Sequence, residues 1–189
     1  MRKHNIILSL LFTFLLTSCG PALKSIYEDN YPLTSRRVFS RTGELSLKIP
    51  DGWHAVEDNE KNMFDIWIVK DNYESYMTLV PINLDEESKV KNGENRIKNL
   101  MNYSKYFKKI ENPSKYSEGI NEVFEINDRL FGAYEYKTGD NFKERVVVFD
   151  YKKTSFELSA VCDRTQVCDS LYLLELYNTQ NSIITSIKE

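Results

Sequence analysis

The sequence predicts an α+β domain in which a mostly antiparallel sheet is covered by two helices. Three observations lead to this fold class. Apolar and polar residues alternate over several short segments, which is typical of half-buried strands. Two longer segments carry apolar residues at helical spacing, one mid-chain and one at the end. The order is strands, helix, strands, helix, which favours helices packed on an antiparallel sheet over regular βαβ units.

Three strands are expected before the first helix. Residues 45–49 alternate apolar and polar side chains, and the PDG sequence that follows indicates a turn. Residues 64–71 are apolar on both faces, which favours a central strand. Residues 75–84 form the third strand, and Pro81 favours an edge or a bulge near its end.

The first helix is expected to begin at the acidic residues 85–87, because negative charge is stabilising at a helix N-terminus. Gly93 weakens it locally, and Pro113 lies beyond its end. One face carries its apolar stripe: Val90, Ile97, Leu100, Met101, Ser104 and Phe107.

Four strands and a helix make up the remainder of the chain. The strands are expected at 121–127, 129–137, 143–151 and 155–162, with hairpin turns between the last three. Asp169 or Ser170 is expected to cap the final helix. One side of this helix carries Leu173, Tyr177, Ile184 and Ile187.

The N-terminus has the pattern of a secretory signal peptide. Arg2 and Lys3 precede an apolar stretch from Ile6 to Leu16. A transmembrane helix needs about 20 apolar residues, and this stretch has roughly half that number. Export, rather than a membrane span, is therefore predicted.

The sequence LTSC at 16–19 resembles the lipobox of bacterial lipoproteins. The resemblance implies that the signal is cleaved before Cys19, that its thiol receives diacylglycerol, and that its amino group takes an acyl chain such as palmitate. Two or three chains anchor stably because each buried methylene contributes about 0.8 kcal/mol. Gly20 at the next position implies a lipid-anchored protein of the bacterial cell envelope, at the outer membrane. The alternative is an ordinary signal peptide with a chance cysteine.

Three regions are therefore expected along the chain. They are a signal peptide at 1–18, a lipidated N-terminus and tether at 19–37, and a single α+β domain at 38–189. The middle region has weak periodicity and two prolines, which favours a tether. Tyr27 and Tyr31 are candidates for docking against the domain.

Cys162 and Cys168 are left as an even pair once Cys19 is assigned to lipid. In an exported chain this favours a structural disulfide, with two reduced buried thiols as the alternative. A zinc site would need further ligands, and a redox pair usually has two intervening residues rather than five.

The sequences GELSLKIPDGW, RVVVFDYKKTSFELSAVC and NSIITSIKE together resemble the Mog1/PsbP-like superfamily over residues 38–189. The resemblance implies an α/β/α sandwich. The superfamily includes photosystem and nuclear-transport accessory factors, so it also implies a protein-binding accessory role. It carries no catalytic residues with it.

Catalytic and metal-binding candidates are few. His54 is the only histidine after the signal peptide and follows a turn, where an exposed or hydrogen-bonded structural role is expected. Neither a GxSxG elbow nor a phosphate-binding glycine loop occurs. Trp53 and Trp67 could stack on a ligand, although core packing is favoured for both. No catalytic, metal or cofactor residue is assigned.

Carboxylates are the remaining candidates for catalytic residues. The candidates for a glycosidase-like pair, with solvated acids as the alternative, are Glu57, Asp58, Glu60, Glu118 and Glu122.

Two functions remain open. The favoured one is a membrane-anchored envelope lipoprotein with a non-enzymatic binding or accessory domain, which predicts an exposed aromatic or sheet-edge patch and a protein partner in the envelope. The alternative is an envelope hydrolase, which predicts carboxylates converging in a pocket with raised pKa values. A formal net charge of −3 with dispersed Lys and Arg argues against nucleic acid as a partner.

Overall fold

A computed structural model describes residues 23–41, 45–57, 63–84, 93–111, 113–138, 142–162 and 168–188. These residues form nine strands and two helices. In chain order they are β1 (Leu33–Phe39), β2 (Ser46–Pro50), β3 (Trp53–Ala55), β4 (Ile66–Lys70), β5 (Ser75–Ile82), α1 (Gly93–Glu111), β6 (Tyr116–Ile126), β7 (Arg129–Thr138), β8 (Phe142–Tyr151), β9 (Thr154–Cys162) and α2 (Ser170–Thr185).

The larger sheet has the strand order β3-β4-β5-β9-β8-β7-β6, and every pairing in it is antiparallel. β1 and β2 form a separate antiparallel pair. The β6–β7 hairpin turns at Asn127 and Asp128, whose φ angles of 51° and 59° suit the tight two-residue turn that right-twisted strands prefer. The predicted α+β class with a mostly antiparallel sheet and two helices is confirmed.

The sheet is the middle of three layers. On one face, α1 covers β7 and β8 through a small core of Leu100, Met101, Tyr134, Tyr136, Val146 and Val148. On the other face, α2 and the β1–β2 pair enclose a larger core that includes Leu47, Met77, Phe124, Val147, Phe149, Leu158 and Ile183. Gly132 lets α1 approach β7 closely, since a Cβ there would lie 2.7 Å from Cγ2 of Ile97.

The two helices differ in how closely they follow the sequence pattern. In α2, the side chain of Asp169 caps the N-terminus by accepting a hydrogen bond from the Tyr172 amide at 2.8 Å, as expected. In α1, the described helix starts at Gly93, and the expected start at 85–87 and Val90 lie outside the described residues. Phe107 does not share the buried stripe, because it is 44% exposed.

The chain folds well before residue 38. β1 begins at Leu33, and both Tyr27 and Tyr31 pack against the larger core. The described part of the expected tether is thus part of the domain, because its tyrosines have apolar surface to cover. Residues 1–22, which include the expected signal peptide and Cys19, lie outside the described residues. Within the described chain, neither helix has the length and apolar character needed to cross a membrane.

Cys162 and Cys168 are joined by a disulfide, with their Cα atoms 6.5 Å apart. Both residues are buried in the larger core. The link connects the end of β9 to the residue just before the cap of α2, so it ties this helix to the central sheet.

Candidate binding groove

A groove of about 340 Å³ lies between the C-terminal half of α1 and the end of β5. It exists because β4 is shorter than β5: the β4–β5 pairing ends at Leu79, whereas β5 continues to Ile82 along β9. Among the described residues, Val80 to Ile82 therefore pair with a neighbouring strand on one side only. Pro81 lies in this segment, as expected for a residue that favours a sheet edge.

The outer wall of the groove is aromatic. Tyr103 and Phe107 stand one helical turn apart on α1 with ring centroids 4.8 Å apart, and Tyr106 meets Phe107 edge to face at 5.7 Å. Tyr106 is 61% exposed and Ile110 continues the exposed apolar surface along the helix. Exposed apolar patches of this kind are typical of interaction surfaces. Tyr103 and Phe107 line the groove, and Tyr106 and Ile110 extend this surface beyond its lining. We refer to these four residues as the aromatic wall.

An ion cluster reaches the floor of the groove through Ser104, Lys108 and Glu157. Nζ of Lys108 lies 2.9 Å from a carboxylate oxygen of Glu157 and 3.5 Å from one of Glu144. The hydroxyl of Ser104 donates to the other oxygen of Glu157, and that of Tyr136 donates to Glu144 at 2.7 Å. We refer to Lys108, Glu144, Glu157, Ser104 and Tyr136 as the lysine cluster.

Burial sets the electrostatics of the lysine cluster. It raises the pKa of Glu144, and Lys108 offsets only part of that effect. Burial by itself lowers the pKa of Lys108, but the carboxylates of Glu144 and Glu157 outweigh it and raise this pKa. The ammonium therefore stays charged, and it is held by protein carboxylates.

A second ion cluster lies on the opposite face of the sheet. The guanidinium of Arg145 donates to Glu122 at 2.8 Å, Gln180 at 2.7 Å and Asn181 at 3.0 Å, and it lies 4.7 Å from the ring centre of Tyr27. Burial lowers the pKa of Arg145, and Glu122 opposes the change. We refer to this set as the arginine cluster.

The structure does not bring the sequence-predicted carboxylates together. Glu118 pairs with Lys105 of α1 at 3.2 Å, whereas Glu122 pairs with Arg145 beneath α2. Residues four apart in a regular strand share a face, but a register shift between Glu118 and Asn121 places these two on opposite faces. Glu57 is exposed elsewhere, and Asp58 and Glu60 lie outside the described residues.

His54 and the tryptophans lie near a different cleft, of about 690 Å³, between β1 and β4. Nδ1 of His54 lies 2.8 Å from a carboxylate oxygen of Asp71, in a partly exposed position. Trp67 lines the cleft and packs edge to face on Phe64 at 5.7 Å, whereas Trp53 is buried in the core.

The basic residues of this cleft are engaged by the protein itself. Arg37 donates to the backbone oxygens of Ser46 and Ser186 at 2.9 and 2.6 Å, and Arg36 donates to that of Trp53 at 3.2 Å. In the described part of the chain, no group of three or more His, Cys, Asp or Glu residues could hold a metal ion.

The residues of the lysine cluster were missed at the sequence level. A signal was present for Glu157, because it lies between Phe156 and Leu158, where an acidic side chain needs a partner, but Glu144 stands between Lys143 and Arg145 and gave no such signal. The partner itself could not be read from the sequence, since Lys108 is one of several lysines on the surface of α1.

No protein-family model and no curated sequence matches this chain. Among solved structures, it is similar to the solution structure of cyanobacterial PsbP (CyanoP) from Synechocystis, with a TM-score of 0.55 and 11% sequence identity over 92% of this chain and 98% of that chain. A crystal structure from Bacteroides thetaiotaomicron has a TM-score of 0.47 and 11% identity over 81% of this chain and 47% of its own. The similarity to CyanoP shows that the fold is PsbP-like.

Proposed function

We propose that this chain is a bacterial envelope lipoprotein, anchored through Cys19, whose domain binds a protein partner and performs no catalysis. The lipobox sequence at 16–19 and the basic, apolar leader before it support the anchor. The disulfide between Cys162 and Cys168 fits an exported protein, because disulfides persist in oxidising compartments.

The groove carries the binding function. Its aromatic wall faces a β5 segment that is paired on one side only in the described chain. An extended segment of a partner protein fits this arrangement, since it can hydrogen-bond to the free strand edge while its apolar side chains lie against Phe107 and Tyr103. The partner class is therefore a protein with an extended apolar segment.

The chemistry of the lysine cluster favours binding over hydrolysis. Glu144 and Glu157 do converge, but Lys108, Ser104 and Tyr136 already engage their oxygens. A general acid or a nucleophile must instead reach its substrate. The resemblance of the sequence to the Mog1/PsbP-like superfamily, which includes accessory factors, supports the same view.

The anchor is tested by the intact mass and detergent phase partitioning of the native protein beside a Cys19→Ser variant. The native protein should begin at an acylated Cys19 and enter the detergent phase, whereas the variant should remain aqueous or unprocessed. A native protein that is soluble and starts at another residue would contradict the lipoprotein assignment.

The groove is tested by photocrosslinking in cells, with a photoreactive phenylalanine analogue placed at Tyr106 or, as a matched control, at Tyr73. Both tyrosines are exposed, but only Tyr106 belongs to the aromatic wall. A discrete crosslinked product is expected from position 106 alone, and Phe107→Ser should weaken it. Equal crosslinking from both positions, or no effect of Phe107→Ser, would show that the groove is not the binding surface.

A further inference from the structure

The first described residues are fixed to the edge strand β6. The carbonyl oxygen of Leu23 accepts a hydrogen bond from the Glu125 amide at 2.8 Å. The carboxylate of Glu122 accepts one from the Ser25 hydroxyl at 2.9 Å and one from the Ile26 amide at 2.8 Å. These bonds place residues 23–26 along the outermost strand of the sheet.

The arginine cluster holds the next residues. The ring of Tyr27 lies over the guanidinium of Arg145, and its hydroxyl donates to Glu135. The side-chain amide of Asn181 donates to the carbonyl oxygen of Tyr27 at 2.8 Å. The segment is therefore held by a buried charge and by α2 as well as by β6, so it is an integral part of the domain.

Little chain remains between this docked segment and the anchor. Only residues 20–22 separate Cys19 from Leu23. Successive Cα atoms are 3.8 Å apart, so Cys19 must lie within about 15 Å of Leu23 whatever path the chain takes. A lipidated Cys19 would thus hold the β6 edge of the domain at the membrane surface.

The same edge exposes apolar side chains. Leu23, Ile26 and, on β6, Ile120 are all exposed. Apolar residues that project from a surface near a lipid anchor can enter the interfacial region of a bilayer and add to its binding free energy.

We infer that the edge formed by Leu23, Ile26 and Ile120 lies directly on the lipid bilayer, and that it fixes the orientation of the domain. This inference rests on the proposed lipidation of Cys19. β5 is four strands away from β6, which is about 19 Å at the usual strand spacing. The groove therefore lies to one side of the membrane contact, where a protein partner can reach it.

Membrane proximity is measured with the full-length lipidated protein in vesicles of phosphatidylethanolamine and phosphatidylglycerol that contain a nitroxide-labelled lipid. A fluorophore is attached to Ile120→Cys or, as the control, to Tyr106→Cys, both at exposed positions. Quenching should be several-fold greater at position 120. A flexible Gly-Ser insert of about ten residues between Ala22 and Leu23 should remove most of this difference, because it frees the domain to tumble.

The two proposals fail differently. Equal quenching at both positions in a protein whose mass shows a lipidated Cys19 would overturn the orientation and leave the anchor in place. A protein whose mass shows no lipid at Cys19 would overturn both, because the orientation depends on the short connection to that lipid.

Discussion

Each face of the central sheet carries an ion cluster. One residue of each cluster, Glu144 in one and Arg145 in the other, comes from β8, and these two residues are consecutive. Glu144 of β8 points towards α1, and Arg145 points towards α2, as side chains alternate along a strand. The arginine cluster is sealed by the docked N-terminal segment and α2. The lysine cluster instead opens into the groove through Ser104, Lys108 and Glu157.

The difference lies in what completes each cluster. Arg145 is 1% exposed, and its guanidinium contacts side chains of β6, of α2 and of the segment around Tyr27, which it ties together. The side chain of Lys108 is 22% exposed and reaches its partners from one helix. A closed cluster of this kind fixes the assembly of the domain, whereas an open one leaves a polar floor beneath an apolar binding wall.

The largest effect is expected from Arg145→Met. Removing the cation leaves the carboxylate of Glu122 and the amides of α2 without their partner, and breaking a buried pair in this way costs about 3–5 kcal/mol. The free energy of unfolding in urea measures the loss. Lys137→Met, at an exposed position of β7, should change it by less than about 0.5 kcal/mol. A loss below about 1 kcal/mol for Arg145→Met would mean that this cluster does not hold the domain together.

Lys108→Met should cost less, about 2–4 kcal/mol, because the lysine is partly exposed and Glu144 can take up a proton when the ammonium is gone. The matched control is Lys109→Met, the neighbouring exposed lysine on α1. Adding Glu144→Gln to Lys108→Met should recover part of the loss, since one of the unpaired acids is then removed. Additive losses in the double variant would show that the two residues are not coupled.

The pH dependence of stability should isolate Glu144. Its pKa is raised in the folded state, so the folded chain holds this proton more tightly than the unfolded chain. The wild-type protein therefore loses stability as the pH rises from the ordinary glutamate pKa towards the higher pKa of the folded state. The loss is about 1.4 kcal/mol for each pH unit by which folding raises the pKa.

The Glu144→Gln variant lacks this titratable group and so has no such loss. Its free energy of unfolding, measured by urea titration at each pH, should therefore rise relative to that of the wild type between pH 4 and 7. The range begins near the ordinary glutamate pKa of about 4.3. Glu118→Gln, which alters an exposed pair with Lys105, serves as the control and should show little slope. A wild-type protein that gains stability relative to Glu144→Gln over this range would reverse the expected sign.

The smallest effect is expected from Tyr27→Phe. The ring stays over Arg145, and only the hydrogen bond to Glu135 is lost, which costs about 1 kcal/mol. Hydrogen exchange at the Glu125 amide, which donates to Leu23, should become faster as the segment opens more often. Tyr73→Phe, on an exposed turn, should leave this amide unchanged. Unchanged exchange in Tyr27→Phe would show that the hydroxyl does not help to dock the segment.

Local patterns in the sequence were enough to predict the fold class. Strand alternation, the hairpin turn between β8 and β9 and the Asp169 cap depend on neighbours a few residues apart, and the structure contains them, whereas residues 139–141 of the other expected turn lie outside the described residues. For the groove, an exposed aromatic or sheet-edge patch was predicted, but not the residues that form it. Phe107 fits the apolar stripe of α1 by spacing, yet its side chain is exposed. The reason is that the sheet beneath this part of the helix presents Glu157, which is covered by a hydrogen bond from Ser104 rather than by an apolar side chain.

The sequence by itself thus determined the type and order of the elements, because periodicity and capping are local properties. Only the tertiary structure decided which charges meet. Glu144 and Lys108, or Arg145 and Glu122, are brought together by strand pairing and helix packing, and the bulge after Glu118 reverses which face a carboxylate occupies. The docked N-terminal segment has the same origin, since Tyr27 finds its partners more than 100 residues away along the chain, where no local pattern could indicate them.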